Sequence, residues 1–186
     1  MTNKLLFFVL LALCFSGCDM LETHPYDVHI TGERELTNKN IQLIENKMQS
    51  KKTIRFAMIS DTQRWYNSTE DVVKALNARG DIDFVIHGGD QSDFGVTKEF
   101  IWMRDIFNKF QMPYVCLLGN HDCLGTGEDA YRAIYGDPNF AFTAGNVRFI
   151  CLNTNAMEYD YSEPVPDFNF IENELNNLCL LYTSPS

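Results

Sequence analysis

The chain has 186 residues, of which 45% are apolar, 13% aromatic and 22% charged. This composition excludes a disordered tail, a collagen-like repeat and a disulfide-dense miniprotein, and it suits one ordinary folded domain. The net charge of −10 also argues against sequence-independent nucleic-acid binding, because a negative surface repels phosphate backbones.

The first residues, 1–17, have the pattern of an export signal. Lys4 is their only charge, and an uninterrupted apolar run of 11 residues follows at 5–15. A run of this length is about half of what spans a bilayer, which favours a secretory signal over a membrane helix. Two small residues before Cys18 resemble the bacterial lipoprotein cleavage site, which predicts a lipid anchor on Cys18 at the cell envelope. The alternative is an ordinary signal peptide with an incidental cysteine.

The next segment, residues 18–52, is polar and contains one amphipathic stretch. Ile41, Ile44 and Met48 recur there at helical spacing, and Thr37 is the predicted N-cap of this helix.

From residue 53 onward, strands alternate with helices. Strands are predicted at 53–60, 84–86, 113–118, 140–143 and 147–152, and helices at 68–79, 97–110, 128–135 and 167–178. Ser68 is the predicted N-cap of the first of these helices, and the last two strands are predicted to form a hairpin. The alternation of strand and helix predicts an α/β domain with parallel strands over residues 53–178.

Polar side chains follow three successive predicted strands. They are Asp61 and Gln63 after the first strand, Asp90 after the second, and Asn120 and His121 after the third. Ligand crevices in open α/β sheets lie at the carboxyl ends of the strands, so these side chains are expected to converge. Their oxygen and nitrogen donors suit hard or borderline divalent cations.

Three motifs carry a family resemblance: D-x-Q at 61–63, G-D-x-x-D at 89–93 and G-N-H-D at 119–122. They resemble the calcineurin-like metallophosphoesterases, whose pattern is D-x-H, G-D-x-x-D and G-N-H-D/E, and the resemblance covers roughly residues 53–160. It implies a two-sheet α/β sandwich built from βαβαβ units. It also implies hydrolysis of phosphate esters, either monoesters or diesters, with two divalent metal ions such as Mn, Fe, Zn or Mg.

The resemblance assigns metal-binding roles residue by residue. Asp61 and Gln63 would hold the first metal, Asp90 would bridge both metals, and Asn120 would bind the second. Gln63 stands where the family has a histidine, and its neutral amide oxygen is a weaker donor. The first metal would therefore either be bound less tightly or be a harder ion such as Mn or Mg.

The resemblance also assigns catalytic roles. His121 would lie beside the scissile phosphate and protonate the leaving group, and Asp122 would orient His121. The family completes its site with later histidines, but no histidine follows His121 in this sequence. We therefore expect that the C-terminal part of the domain is missing, that residues 179–186 are a non-native tail, and that the chain itself is poorly active.

Several neighbouring residues have plainer interpretations. His87 is expected to be a hydrogen-bonded core histidine, Arg64 to form a surface ion pair, and Asp93 to orient a loop. Trp65 and Tyr66 could wall a substrate pocket or simply pack.

Two functions from different classes are therefore open. The first is a metal-dependent phosphoesterase that acts on a phosphate-ester substrate, binds no nucleic acid and is held at the bacterial envelope by its lipid anchor. The second is an envelope lipoprotein that uses the same fold as a catalytically weak binding module.

Overall fold

The fold is that of a computed structural model, which describes residues 24–156 and 165–176. The predicted signal at 1–17, Cys18 and the predicted tail at 179–186 lie outside the described residues. The helices are α1 (Leu36–Met48), α2 (Tyr66–Arg79), α3 (Thr97–Phe107), α4 (Gly127–Tyr135) and α5 (Phe168–Asn176). The strands are β1 (Phe56–Ile59), β2 (Phe84–His87), β3 (Tyr114–Cys116), β4 (Phe140–Ala144) and β5 (Val147–Cys151). A short 3-10 helix, His121–Cys123, follows β3.

The first three strands form a parallel sheet in the order β1-β2-β3. Phe56 of β1 pairs in register with Phe84 of β2, and His87 at the end of β2 pairs with Cys116 of β3. The helices α2 and α3 connect these strands, as parallel pairing requires. The predicted α/β arrangement is confirmed.

The remaining two strands form the predicted hairpin. β4 and β5 pair antiparallel, with Phe142 opposite Phe149. The rings of these two residues stack at 4.9 Å, and the edge of Phe142 meets the Phe84 ring at 5.6 Å. The hairpin is therefore a small second sheet that packs on the parallel one.

The central strand β2 has apolar packing on both faces. Phe84 and Ile86 belong to a core shared with α1 and the hairpin, whereas Val85 belongs to a core shared with α2, α3 and α4. Successive side chains of a strand point to opposite faces, so this alternation makes β2 the middle layer.

Two predicted helix caps are wrong. The helix α1 begins at Leu36 with Glu35 as its N-cap, so Thr37 lies inside the first turn and its hydroxyl is buried. The helix α2 begins two residues before Ser68, because Thr69 donates both its backbone N–H and its hydroxyl to the carbonyl of Trp65. Each of the two helices thus begins one or two residues before its predicted cap, and the observed N-caps, Glu35 and Trp65, make no capping hydrogen bond through their side chains.

None of the helices in the described part of the chain is long and apolar enough to cross a membrane.

Candidate active site

The loops that follow β1 and β2 are joined by backbone hydrogen bonds. The N–H of Asp61 donates to the carbonyl of Gly89 at 3.1 Å, and the N–H of Gln63 donates to the carbonyl of Asp90 at 3.1 Å. The first and second predicted motifs therefore meet at the carboxyl ends of their strands, as expected for a parallel sheet.

The third motif lies against the second. The N–H of His121 donates to the Asp90 carboxylate at 3.0 Å. A Cβ atom on Gly119 would lie 2.1 Å from the same carboxylate, and one on Gly89 would lie 2.7 Å from the backbone of Gly119. Both glycines are therefore required by the close approach of the two loops.

The site loops hold strained backbone. Asp61, Arg64 and Asp90 have φ angles of 55°, 68° and 62°, in the left-handed region that side-chain-bearing residues seldom adopt. Such conformations cost on the order of 1–3 kcal/mol each and persist where surrounding structure fixes them. The sequence offered no sign of this strain beyond the tolerance of aspartate for that region.

Asp122 is fully buried and ties the loops together through backbone N–H groups. One carboxylate oxygen accepts from the N–H groups of Asp90 and Gly119, at 2.9 and 3.0 Å. The other oxygen accepts from the N–H groups of Gln91 and Ser92, at 2.9 and 2.8 Å, and from the Ser92 hydroxyl. Burial raises the pKa of Asp122 to about 6, although the bonds from Ser92 and Gly119 oppose that rise.

The imidazole of His121 is held by a different group from the one predicted. Its Nδ1–H donates to the backbone carbonyl of Asp93 at 2.9 Å, so the expectation that Asp122 orients this ring is wrong. Asp122 instead holds the backbone of the two loops that carry Asp93 and His121. The bond to the Asp93 carbonyl raises the pKa of His121, and burial only partly offsets this effect.

Asp93 also bonds to Arg64 through its carboxylate. The guanidinium donates from Nε and Nη2 to the two carboxylate oxygens, at 2.6 and 2.5 Å. This bidentate pair lowers the pKa of Asp93. The predicted ion pair of Arg64 and the loop-orienting role of Asp93 are both confirmed. The role of the Asp93 carbonyl was missed, because a backbone atom leaves no trace in the residue pattern.

His87 is a core residue, as predicted. Its Nδ1 accepts the N–H of Gly89 at 3.2 Å, which leaves Nε2–H to donate to the Thr62 hydroxyl at 2.9 Å. Burial lowers the pKa of His87 to about 3, so the ring is neutral at physiological pH.

The four predicted metal ligands supply only oxygen donors of the hard type. The amide oxygen of Gln63 is buried and has no hydrogen-bond partner among the described residues, which is the state expected of an oxygen reserved for a cation. Within residues 24–156 and 165–176, no group of three or more His, Cys, Asp and Glu side chains is placed to hold a metal. Of the four predicted metal ligands, only Asp61 and Asp90 belong to these residue types, since Gln63 and Asn120 are amides. The donor set fits a hard divalent ion, and its use as a metal site stays a prediction.

A cavity of about 330 Å³ adjoins Asp61 and is lined by Thr62, Trp65 and Val72 among others. Trp65 therefore walls a cavity beside the site. A larger cavity of about 640 Å³ lies between α1 and the start of β3, with Leu43 in its lining, and none of the predicted site residues borders it.

Tyr66 has a packing role, the second of the two considered for Trp65 and Tyr66. Its ring packs edge-on against Trp102 at 5.8 Å.

A family model described as calcineurin-like phosphoesterase matches residues 54–180, which is more than half of the chain. No curated protein matches the chain.

Proposed function

The chain belongs to the calcineurin-like phosphoesterase family, and from that premise we propose that it hydrolyses phosphate esters with a pair of divalent ions at the bacterial cell envelope. The observation that carries this proposal is the position of Asp90. Its carbonyl is bonded to the Gln63 loop and its carboxylate to the His121 backbone, so it stands between the other two motifs. A carboxylate in that position is suited to serve two ions at once.

The residues of the site would have two roles, metal binding and proton donation. When bound, two divalent ions neutralise the phosphate oxygens and lower the pKa of water. Asp61, Gln63, Asp90 and Asn120 would hold these ions. His121 would donate a proton to the leaving oxygen from Nε2, because its Nδ1 is engaged by the Asp93 carbonyl. In the absence of bound metal, the same bond raises the pKa of His121.

The envelope location rests on the sequence before the described residues. The short apolar run and the small residues before Cys18 support a lipid anchor, which would hold firmly if it carries more than one acyl chain. Replacing Cys18 by alanine should release the protein from the membrane fraction or block its processing. A mature protein that starts elsewhere and is freely soluble would contradict the anchor.

A second candidate is supported by Gln63. Its neutral side chain replaces the family histidine, and a weaker first metal site would leave a binding module with little turnover. Metal-stimulated hydrolysis above the uncatalysed rate, even if slow, supports the phosphoesterase, because a binding module would take up metal without turnover.

The central test is Asp90→Ala. We expect it to abolish Mn²⁺ binding by calorimetry and metal-stimulated hydrolysis of a generic phosphodiester, and to be the most damaging single change, since it removes the shared ligand. Asp71→Ala is the matched control, because its carboxylate lies on the exposed face of α2 in a surface pair with Lys74. Unchanged metal binding and turnover in Asp90→Ala would remove the site assignment altogether.

A further inference from the structure

Large apolar side chains stand exposed on the loops that carry the site. Trp65, Phe94 and Leu124 are 65%, 55% and 38% exposed, and each follows one of the three motifs within two residues. Together with Tyr26, which is 36% exposed, we call them the apolar rim. Single exposed apolar residues are ordinary, but four around one site form a patch that calls for a partner.

The loops that carry these three residues lie against one another. Trp65 follows Arg64, whose guanidinium lies 6.0 Å from the centre of the Phe94 ring. Gly95, next to Phe94, packs so closely on Leu124 that a Cβ atom there would lie 1.8 Å from the Leu124 carbonyl oxygen. The three exposed side chains are therefore carried by adjacent loops.

Tyr26 extends the rim to the segment that precedes α1. Its ring covers Gly125, where a Cβ atom would lie 2.5 Å from a ring carbon, and its carbonyl accepts the hydroxyl of Thr126. The next carbonyl, that of Asp27, accepts the Thr97 hydroxyl at 2.9 Å. The chain is thus fixed at Tyr26 to the loop that follows the His121 motif and at Asp27 to the start of α3.

This attachment limits how far the rim can stand from Cys18. Six residue steps separate Cys18 from His24, and a fully extended chain advances about 3.3–3.6 Å per step, or about 20 Å in all. A lipid anchor on Cys18 would therefore hold the rim within a short distance of the bilayer surface.

We propose that the apolar rim docks on the bilayer surface, so that the site acts on phosphate esters in lipid headgroups. This rests on the proposed function and on its lipid anchor. Aromatic residues and leucine are the side chains that insert at the membrane–water interface. The contact is apolar rather than electrostatic, because the protein carries a net charge of −10 and the carboxylates of Asp61 and Asp90 lie in the same loops. The favoured surface is therefore one of uncharged or zwitterionic lipid.

The test uses single-tryptophan forms of the full acylated chain on vesicles of brominated phosphatidylcholine, whose bromine quenches tryptophan at the interface. Trp102→Phe keeps Trp65 as the reporter of the rim. The control combines Trp65→Phe, Trp102→Phe and Leu43→Trp, which moves the reporter to an equally exposed site on α1, beside the cavity remote from the site. We expect quenching of Trp65 to exceed that of the control by about fivefold, because insertion places the rim at the level of the lipid headgroups.

Phe94→Ser and Leu124→Ser in the Trp65 form should lower the quenching several-fold while hydrolysis of a water-soluble ester is unchanged. Equal quenching at both reporters, quenching indifferent to these two substitutions, or no retention on vesicles would each overturn the proposal. A raised KM for soluble naphthyl phosphate without any vesicle quenching would overturn it too, in favour of an apolar group on the substrate. Quenching needs no turnover, so a chain that quenches but does not hydrolyse esters would refute the proposed function and leave the docking intact.

Discussion

The site loops and the hairpin core lie at different places on the same parallel sheet. The hairpin core is built from aromatic side chains, whereas the site loops bury polar ones. In the hairpin core, Phe84, Phe142 and Phe149 meet as stacked and edge-to-face rings at 4.9–5.6 Å, with Phe84 and Phe142 fully buried. In and beside the site loops, many of the buried side chains are polar, namely those of Thr62, His87, Gln91, Ser92, Asp93 and Asp122. Two aspartates there, Asp61 and Asp90, adopt left-handed backbone.

The hairpin core stabilises the fold, whereas the site loops contain groups that are costly to bury or strained. Aromatic packing is favourable by area and by ring geometry, whereas buried polar groups and left-handed aspartates are tolerated only with specific partners. Of the four side-chain-bearing residues with positive φ in the described part of the chain, three belong to the first two site loops. Changes in the hairpin should therefore alter stability, and changes in the site loops should mainly alter chemistry.

After Asp90→Ala, the largest expected effect is that of His121→Ala on turnover. Loss of a general acid lowers the rate by roughly 10²–10⁴-fold, and metal binding should be spared because His121 is not among the predicted ligands. Turnover of a phosphodiester and Mn²⁺ calorimetry would be measured on the same preparation. His29→Ala, at an exposed histidine, serves as the control. Full activity in His121→Ala would show that His121 does not act as the general acid for the leaving group.

The corresponding change in the hairpin is Phe142→Ala, which should lower the free energy of unfolding. Truncating a fully buried phenylalanine costs about 3–5 kcal/mol of unfolding free energy, through lost transfer energy and the cavity left behind. Phe168→Ala, at a residue 65% exposed on α5, should change it by less than about 0.5 kcal/mol. Urea unfolding measures both. Metal affinity of the folded fraction should not change, and a large loss of affinity in Phe142→Ala would break the separation between the two regions.

His87 makes the stability of the site loops depend on pH. Burial lowers the pKa of His87 to about 3, whereas an unfolded histidine has a pKa near 6.5. Between those values the unfolded state binds more protons, so stability falls as the pH drops from about 6.5 towards 3. Asp122, whose pKa is raised to about 6, acts in the opposite direction and makes the total curve shallower.

The contribution of His87 is isolated by comparing the wild type with His87→Gln. A glutamine keeps hydrogen-bonding groups at this position and does not titrate. Lowering the pH from 7.5 to 5 should lower the urea midpoint of the wild type relative to that of the variant, which keeps only the opposite contribution of Asp122. An identical pH dependence in both proteins would contradict a neutral, buried His87.

The smallest expected effect concerns Gln91. Its side chain is fully buried, and neither its amide nitrogen nor its amide oxygen has a hydrogen-bond partner among the described residues. Gln91→Met keeps the length and removes the unpaired polar atoms, so it should stabilise the protein by about 1–2 kcal/mol. Gln111→Met, at an exposed glutamine, is the control. Destabilisation by Gln91→Met would mean that the amide is satisfied in solution.

Apolar periodicity predicted the elements well and their ends less well. The helix carrying Ile41, Ile44 and Met48 and the strand at 84–86 were found where the pattern put them, because their apolar side chains form the two cores. The caps at Thr37 and Ser68 were wrong, since each helix begins one or two residues before the side chain expected to cap it.

The site was predictable as a meeting of motifs but not as a set of contacts. Strand order alone brings the loops of Asp61, Asp90 and His121 together. The partner of the His121 ring is a carbonyl, and the partners of Asp122 are N–H groups, so neither could be inferred from residue types. Contacts to backbone atoms depend on the exact path of two loops, which only the fold supplies.

Asp122 has a consequence for the order of folding. It accepts N–H groups from residues about 30 positions earlier in the chain, so its bonds form only after β2 and β3 have paired and α3 has closed the connection between them. Contacts this distant in sequence carry the entropy of closing a long loop and tend to form late. We therefore expect Asp122→Asn to accelerate unfolding and to leave the folding rate almost unchanged, which corresponds to a φ-value near zero. The active site would then be the last part of the domain to assemble and the first to open.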